Sequence, residues 1–204
     1  MNPRALLSIA LLLGTLAAVR ADEFFVEPIV SSVNPHVVAK VKGTGLGLCG
    51  GEFFGTDESG VEKEVSIQFD RTKFTTSGMA SAQHYDSSET LMPVVVNLRA
   101  NFAPDSRYRK LRMYIGPCIG TTRVATNVSY TGGGAPSQYG SSTDWDLAWG
   151  GTIGFMFRFD KRAHLDIGYR ILGTSSTKIS LPRESYATGN YTLESWYMGV
   201  GVRF

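Results

Sequence analysis

Charge is scarce in this sequence. Asp, Glu, Lys and Arg make up 19% of its 204 residues, against roughly 25% in soluble domains. Cysteine is scarcer, with Cys49 and Cys118 alone. There is no Cys-x-x-Cys pair and no Cys/His cluster, so the usual zinc patterns are missing. The histidines, His36, His84 and His164, stand far apart and are read as surface or interior residues rather than ligands. Neither a metal nor another cofactor is expected. Beyond residue 21 no apolar run approaches the ~18 residues of a membrane helix, and helical periodicity is nearly absent. What is plentiful is glycine, 23 residues, and aromatics at 11%. That mixture suits sheet with exposed apolar surface.

The N-terminus has its own pattern. Arg4 precedes a mostly apolar stretch from Ala5 to Val19, and Val19 and Ala21 occupy the −3 and −1 positions of a cleavage site. Residues 1–21 are therefore read as a signal peptide and 22–204 as one domain. Removing Arg4 and Arg20 from 20 basic residues leaves 18, against 18 acidic. A neutral balance offers no general attraction for nucleic acid. Two cysteines in an exported chain permit one disulfide without requiring it.

The remainder alternates with period 2 between turn-forming clusters. Eight strands are expected, over 23–32, 38–53, 63–75, 89–102, 110–124, 146–159, 163–173 and 192–204. In the last, Trp196, Met198, Val200, Val202 and Phe204 share one face, while Ser195, Tyr197, Gly199, Gly201 and Arg203 share the other. A soluble sandwich would also alternate. Its outer face, however, would carry Lys, Glu, Thr and Ser rather than Gly, Arg, Asp and Tyr. Glycines beside long charged side chains suit a narrow enclosed interior. Strands of 9–11 residues or more match the length that crosses a bilayer at a ~45° tilt, and in lipid a sheet must close on itself. The expected fold is all-β, an eight-stranded antiparallel up-and-down transmembrane barrel. Gaps at 54–62, 103–109 and 160–162 are short; those at 76–88, 125–145 and 174–191 are long and polar. That alternation is the layout of an outer-membrane barrel. In the second strand Leu46 and Leu48 disagree in parity with Val37, Ala39 and Val41, which implies a bulge or a shifted start.

The segments MPVVVNLRANF, RMYIGPCIG, LAWGGTIGFMFRF, HLDIGYRILG and YMGVGVRF resemble successive strands of the opacity-protein and outer membrane protein A barrel group. The resemblance covers 88–204 and is weaker before. It implies a multi-pass barrel in the outer membrane of a Gram-negative cell. Phe204 resembles the C-terminal signal read by the barrel-assembly machinery. The chain ends with the last strand, so cell-wall anchoring is not carried over.

The enclosed face is expected to hold Glu27, Glu64, Asp70, Arg99, Arg112, Arg158, Asp166, Arg170 and Arg203. These charges either form a structural network that fills the lumen or line a narrow ion path with slight anion preference. Asp166 is expected to accept from Arg158 and Arg203. Cys49 and Cys118 fall on non-neighbouring strands, beyond the ~7 Å Cα separation a disulfide allows, so free thiols are expected. Outward, Arg71, Lys73 and Arg123 either pair with lipopolysaccharide phosphates or snorkel at the interface. Acyl chemistry on lipid would need a nucleophile, base and carboxylate at the rim. The candidates there, His84 with Asp86, Ser87, Ser88 and Glu89, lack a strained elbow, and no catalytic role is expected. Tyr130, Tyr139, Tyr186 and Tyr191 sit in expected recognition loops. The expected function is structural and surface-interacting, with loops for an unknown extracellular ligand. The alternative is a small porin-like channel for ions or small solutes.

Overall fold

The computed structural model describes residues 23–35, 43–55, 61–80, 83–103, 110–131, 137–174, 178–180, 185–187 and 192–204. The expected signal peptide lies outside the described residues. The strands are β1 (Glu23–Pro35), β2 (Gly43–Phe54), β3 (Val61–Ala80), β4 (Gln83–Phe102), β5 (Leu111–Thr131), β6 (Gln138–Arg158), β7 (Ala163–Thr174), β8 (Lys178–Ser180), β9 (Ser185–Ala187) and β10 (Thr192–Arg203). Eight of them close into an antiparallel barrel in the ring order β1-β10-β7-β6-β5-β4-β3-β2, while β8 and β9 pair apart from it. Every barrel strand pairs with its sequence neighbour, and β1 with β10 closes the ring.

The register sets the barrel's width. From Glu62 the pairing runs through Asn101, Tyr114, Gly154, Gly168, Tyr197, Ser31 and Gly45 to Thr72, ten residues further along β3. This stagger tilts the strands by the ~35–45° typical of barrels, and with eight strands the interior is just wide enough for side chains. Outside, Val30, Met198, Ile167, Ile153, Ile115 and Leu98 are exposed on six successive strands of the ring. A continuous apolar belt of that extent is untenable in water and is what a bilayer solvates.

Three expectations change. β2 begins at Gly43 and holds one parity, so Leu46 and Leu48 both face out. The shifted start removes the conflict, and residues 38–42 lie outside the described part. Second, 76–88 and 125–145, expected as loops, are largely strand. β3 and β4 pair as far as Ala80 with Gln83, and β5 and β6 as far as Tyr130 with Gln138. Their Ser, Thr and Asn content reads as turn composition. Once the hairpins are in register, continued pairing satisfies the same backbone groups. Third, Tyr130 and Tyr139 therefore stand in strands; Tyr186 belongs to β9, and Tyr191 lies outside the described residues.

At the opposite rim the β6–β7 turn is closed by Asp160. Its Oδ1 accepts from the amides of Arg162 (2.6 Å) and Ala163 (2.8 Å), an Asx-type turn. These bonds, Arg162's first and Ala163's second, hold the carboxyl below the usual value of 3.8. The stabilisation is present above the usual aspartate pKa and is lost as pH falls through the lowered one. Asp160→Ala should speed amide exchange at Arg162 and Ala163 at neutral pH. The two proteins should converge in strong acid; equal rates at pH 7 would remove the capping role.

Candidate functional site

Every charge expected inside is inside. Glu27, Glu64, Asp70, Arg99, Arg112, Asp166, Arg170 and Arg203 are buried, and Arg158 lies at the rim with its side chain 13% exposed. Strand parity carried this. Glu62 and Asp146 are buried too, and both were missed because they sit where a turn or a strand start was expected. Among the described residues, with Glu27, Glu64, Asp70 and Asp166, they make six acids against five arginines. The surplus of bases behind a slight anion preference is absent.

Arg99 on β4 is the hub. Its Nη1 donates to Asp166 Oδ2 at 3.0 Å and lies 3.1 Å from Glu64 Oε1. Its Nη2 donates to the Tyr197 hydroxyl at 2.9 Å. The Tyr114 hydroxyl donates to Asp166 Oδ1 at 2.5 Å, and the guanidinium carbon stands 4.6 Å from the Tyr114 ring centroid. Ser66 donates to Glu64 Oε1 at 2.9 Å. Two carboxylates share one guanidinium, with neutral donors taking their remaining lone pairs, the condition under which a buried charge cluster is tolerable.

Asp166 is thus not the acceptor for Arg158 and Arg203. Arg158 does pair across from His164 on the backbone, but its side chain turns to Glu62. Arg203 reaches Glu23 at 2.8 Å and Met156 Sδ at 3.3 Å. Both long side chains lean to acids at the rim, whereas Asp166 faces β4 across the lumen. A second bridge joins Arg170 to Asp70 at 2.5 Å, and His164 Nε2 meets Glu27 Oε2 at 3.0 Å.

Above these charges lies an apolar layer that sequence reasoning missed. Val33, Phe74, Leu91, Val124, Leu172 and Leu193 pack with Val95 and Cys118 across the half of the lumen toward the extended β3–β4 and β5–β6 hairpins. The signal was present in MPVVVNL, apolar on both faces. A void beside Arg170, Asp70 and Leu172 holds only about 10 Å³, at the lower limit for one water. Cys49 and Cys118 are buried and free.

On the outer face Arg71, Lys73 and Arg123 are mid-strand rather than at strand ends, because β3 and β5 continue past them. Arg123 pairs with Met92 and Trp145, and Lys73 with Thr90. Arg71 and Lys73 stand on β3 and Arg123 on β5, with Thr90 and Met92 of β4 between them, where the apolar belt stops. At the old rim candidates, His84 Nε2 meets Asp86 Oδ1 at 3.3 Å. Strand alternation turns Ser87 and Glu89 to the opposite side, so the five do not converge.

A closed antiparallel barrel with an apolar exterior and a packed polar interior defines an integral membrane protein of the β-barrel class. The chain belongs to the outer membrane protein beta-barrel domain family, whose model matches residues 5–204. It is a Gram-negative outer-membrane protein. A sequence search of curated proteins returns no match. Solved structures of similar shape include Neisserial surface protein A, 15% identical, covering 88% of this chain and 95% of that one with TM-score 0.49. The attachment invasion locus protein Ail of Yersinia pestis is 14% identical, covering 91% and 99% with TM-score 0.49. The outer membrane protease OmpT of Escherichia coli is 4% identical, covering 90% and 97% with TM-score 0.51. This last likeness corrects the expectation that the chain has no enzymatic role. A barrel of similar fold is a protease, so the architecture gives no ground for excluding catalysis.

Proposed function

We propose that the protein is a non-conducting outer-membrane barrel that acts structurally and presents its β3–β6 sheet for contact at the cell surface. The observation that carries this reading is the double closure of the lumen, the Arg99 hub below and the apolar layer from Val33 to Leu193 above. An ion following this path would have to break buried ion pairs and wet an apolar constriction. In planar bilayers the purified protein should give no stable openings; steady conductance in the wild type would return the small-channel reading.

Its lipid partner in this reading is lipopolysaccharide, whose phosphates pair with Arg71, Lys73 and Arg123 at the edge of the apolar belt. Its assembly partner is the barrel-assembly machinery, acting on the C-terminal strand. The Phe204 amide donates to Phe24 O at 2.9 Å across the closing seam, while the side chain is 79% exposed on the lipid side. Phe204→Asp keeps the amide and removes the aromatic signal. Its level in the outer membrane should fall several-fold with export intact, while refolding in detergent stays normal. Wild-type levels in cells would remove the assembly role.

A further inference from the structure

Above the apolar belt, the outward side of β3 to β6 carries small polar side chains in two cross-strand rows. Thr75, Ser88, Asn127 and Ser141 form the lower row. Ser77, Asp86, Ser129 and Tyr139 form the row above it. With the row between them, Thr76, Ser87, Val128 and Gly140, they line a cavity of about 510 Å³, within the range of ligand sites. Both rows share the parity of the lipid-facing wall on the same strands. Immediately below it Lys73 pairs with Thr90, and one row lower stand Met92 and Arg123.

We infer that this concave face binds neutral sugar units, and that their source is the core oligosaccharide of lipopolysaccharide standing beside the barrel. The choice of source rests on the phosphate contacts proposed for Arg71, Lys73 and Arg123; the chemistry of the face does not. Five hydroxyls on a paired sheet can each donate and accept, as sugar hydroxyls do. Asn127 adds an amide that donates and accepts at once, and Asp86 a carboxylate acceptor. Tyr139, 72% exposed at one edge, offers an aromatic face to the C–H side of a sugar ring. More of the lining surface is carbon than polar atoms, which suits the C–H faces of sugar rings beside their hydroxyls. An anionic ligand meets Asp86, with the cations outside the cavity and below it. A glycolipid anchored in the adjoining leaflet would set its phosphates at the cations and its sugars one step higher, the order in which the two surfaces are stacked.

The test titrates detergent-refolded protein with three probes: lipopolysaccharide with its full core, the same lipid truncated to its phosphorylated anchor, and the released dephosphorylated core oligosaccharide. The full core should bind wild type at least tenfold tighter than the truncated lipid. Ser129→Trp, which fills the cavity from the outward side of β5, should abolish that tenfold difference and leave affinity for the truncated lipid unchanged. Heat-modifiable migration on gels checks that this variant is folded. Arg71→Glu with Arg123→Glu should weaken both lipids by the same factor, so failure of the phosphate contacts is read separately from failure of the sugar face. Binding of the released oligosaccharide to wild type and not to Ser129→Trp supports the face and assigns a soluble saccharide as sufficient. Equal affinity for full and truncated lipid, with no oligosaccharide binding, overturns the inference.

Discussion

Replacing Arg99 by Ala is expected to lower the unfolding free energy in urea by about 3–5 kcal/mol, the cost of leaving buried charge without its partner. The effect is large because one guanidinium serves Glu64, Asp166 and Tyr197 together. Without it two carboxylates face each other beneath an apolar layer, with Tyr114, Ser66 and Asn101 left to donate to them. The same variant should show transient openings in planar bilayers where wild type is silent, since water must enter to solvate the pair. Asp166→Ala should cost less, because Glu64 still holds the guanidinium. An unchanged midpoint in Arg99→Ala would mean that the lumen is wet and the hub solvated, and the plugged barrel would go with it.

Gly168→Val should reduce the folded, heat-modifiable fraction to a small part of the wild-type level. Gly168 and Gly154 are paired on β7 and β6, and the Tyr114 hydroxyl sits over both. A Cβ at Gly168 would lie 2.2 Å from that hydroxyl and 2.3 Å from Tyr197 Cζ. Both tyrosines are almost fully buried and tied into the Arg99 hub, so neither can move without breaking it. Overpacking typically costs 1–3 kcal/mol, occasionally more, and here the lost hydrogen bonds add to it. Gly173 is the control. Its nearest neighbour, Trp149, stands 3.6 Å from a built Cβ, so Gly173→Ala should fold normally. Wild-type yields of Gly168→Val would show that the wall, not the tyrosines, sets the lumen's width.

Much of this was legible in the chain because a strand has a period of two. A position's parity assigns it to lipid or lumen without further information, and the nine inward charges followed from parity alone. So did the outward Arg71, Lys73 and Arg123. Composition misled where it was used in place of parity. The serines and threonines of 76–88 and 125–145 read as loop, yet their alternation continues unbroken from Lys73 and Arg123 into the paired extension. Glu62 and Asp146 were lost the same way, as turn and strand start, although each shares the parity of a buried neighbour on its own strand.

The sequence by itself determined the class of fold, the division of each strand between lipid and lumen, and the need for small residues inside, since each follows from neighbours along one strand. It could not determine which charge meets which. Arg99 and Asp166 are 67 residues apart and lie on β4 and β7, separated by two strands on the ring. Only the ten-residue stagger of the closed register brings them across the lumen to each other, and sends Arg158 and Arg203 to Glu62 and Glu23 instead. The apolar layer and the concave outer face were likewise decided in three dimensions. Each is assembled from one or two residues per strand on several strands at once, so a stretch such as MPVVVNL shows only its own strand's share.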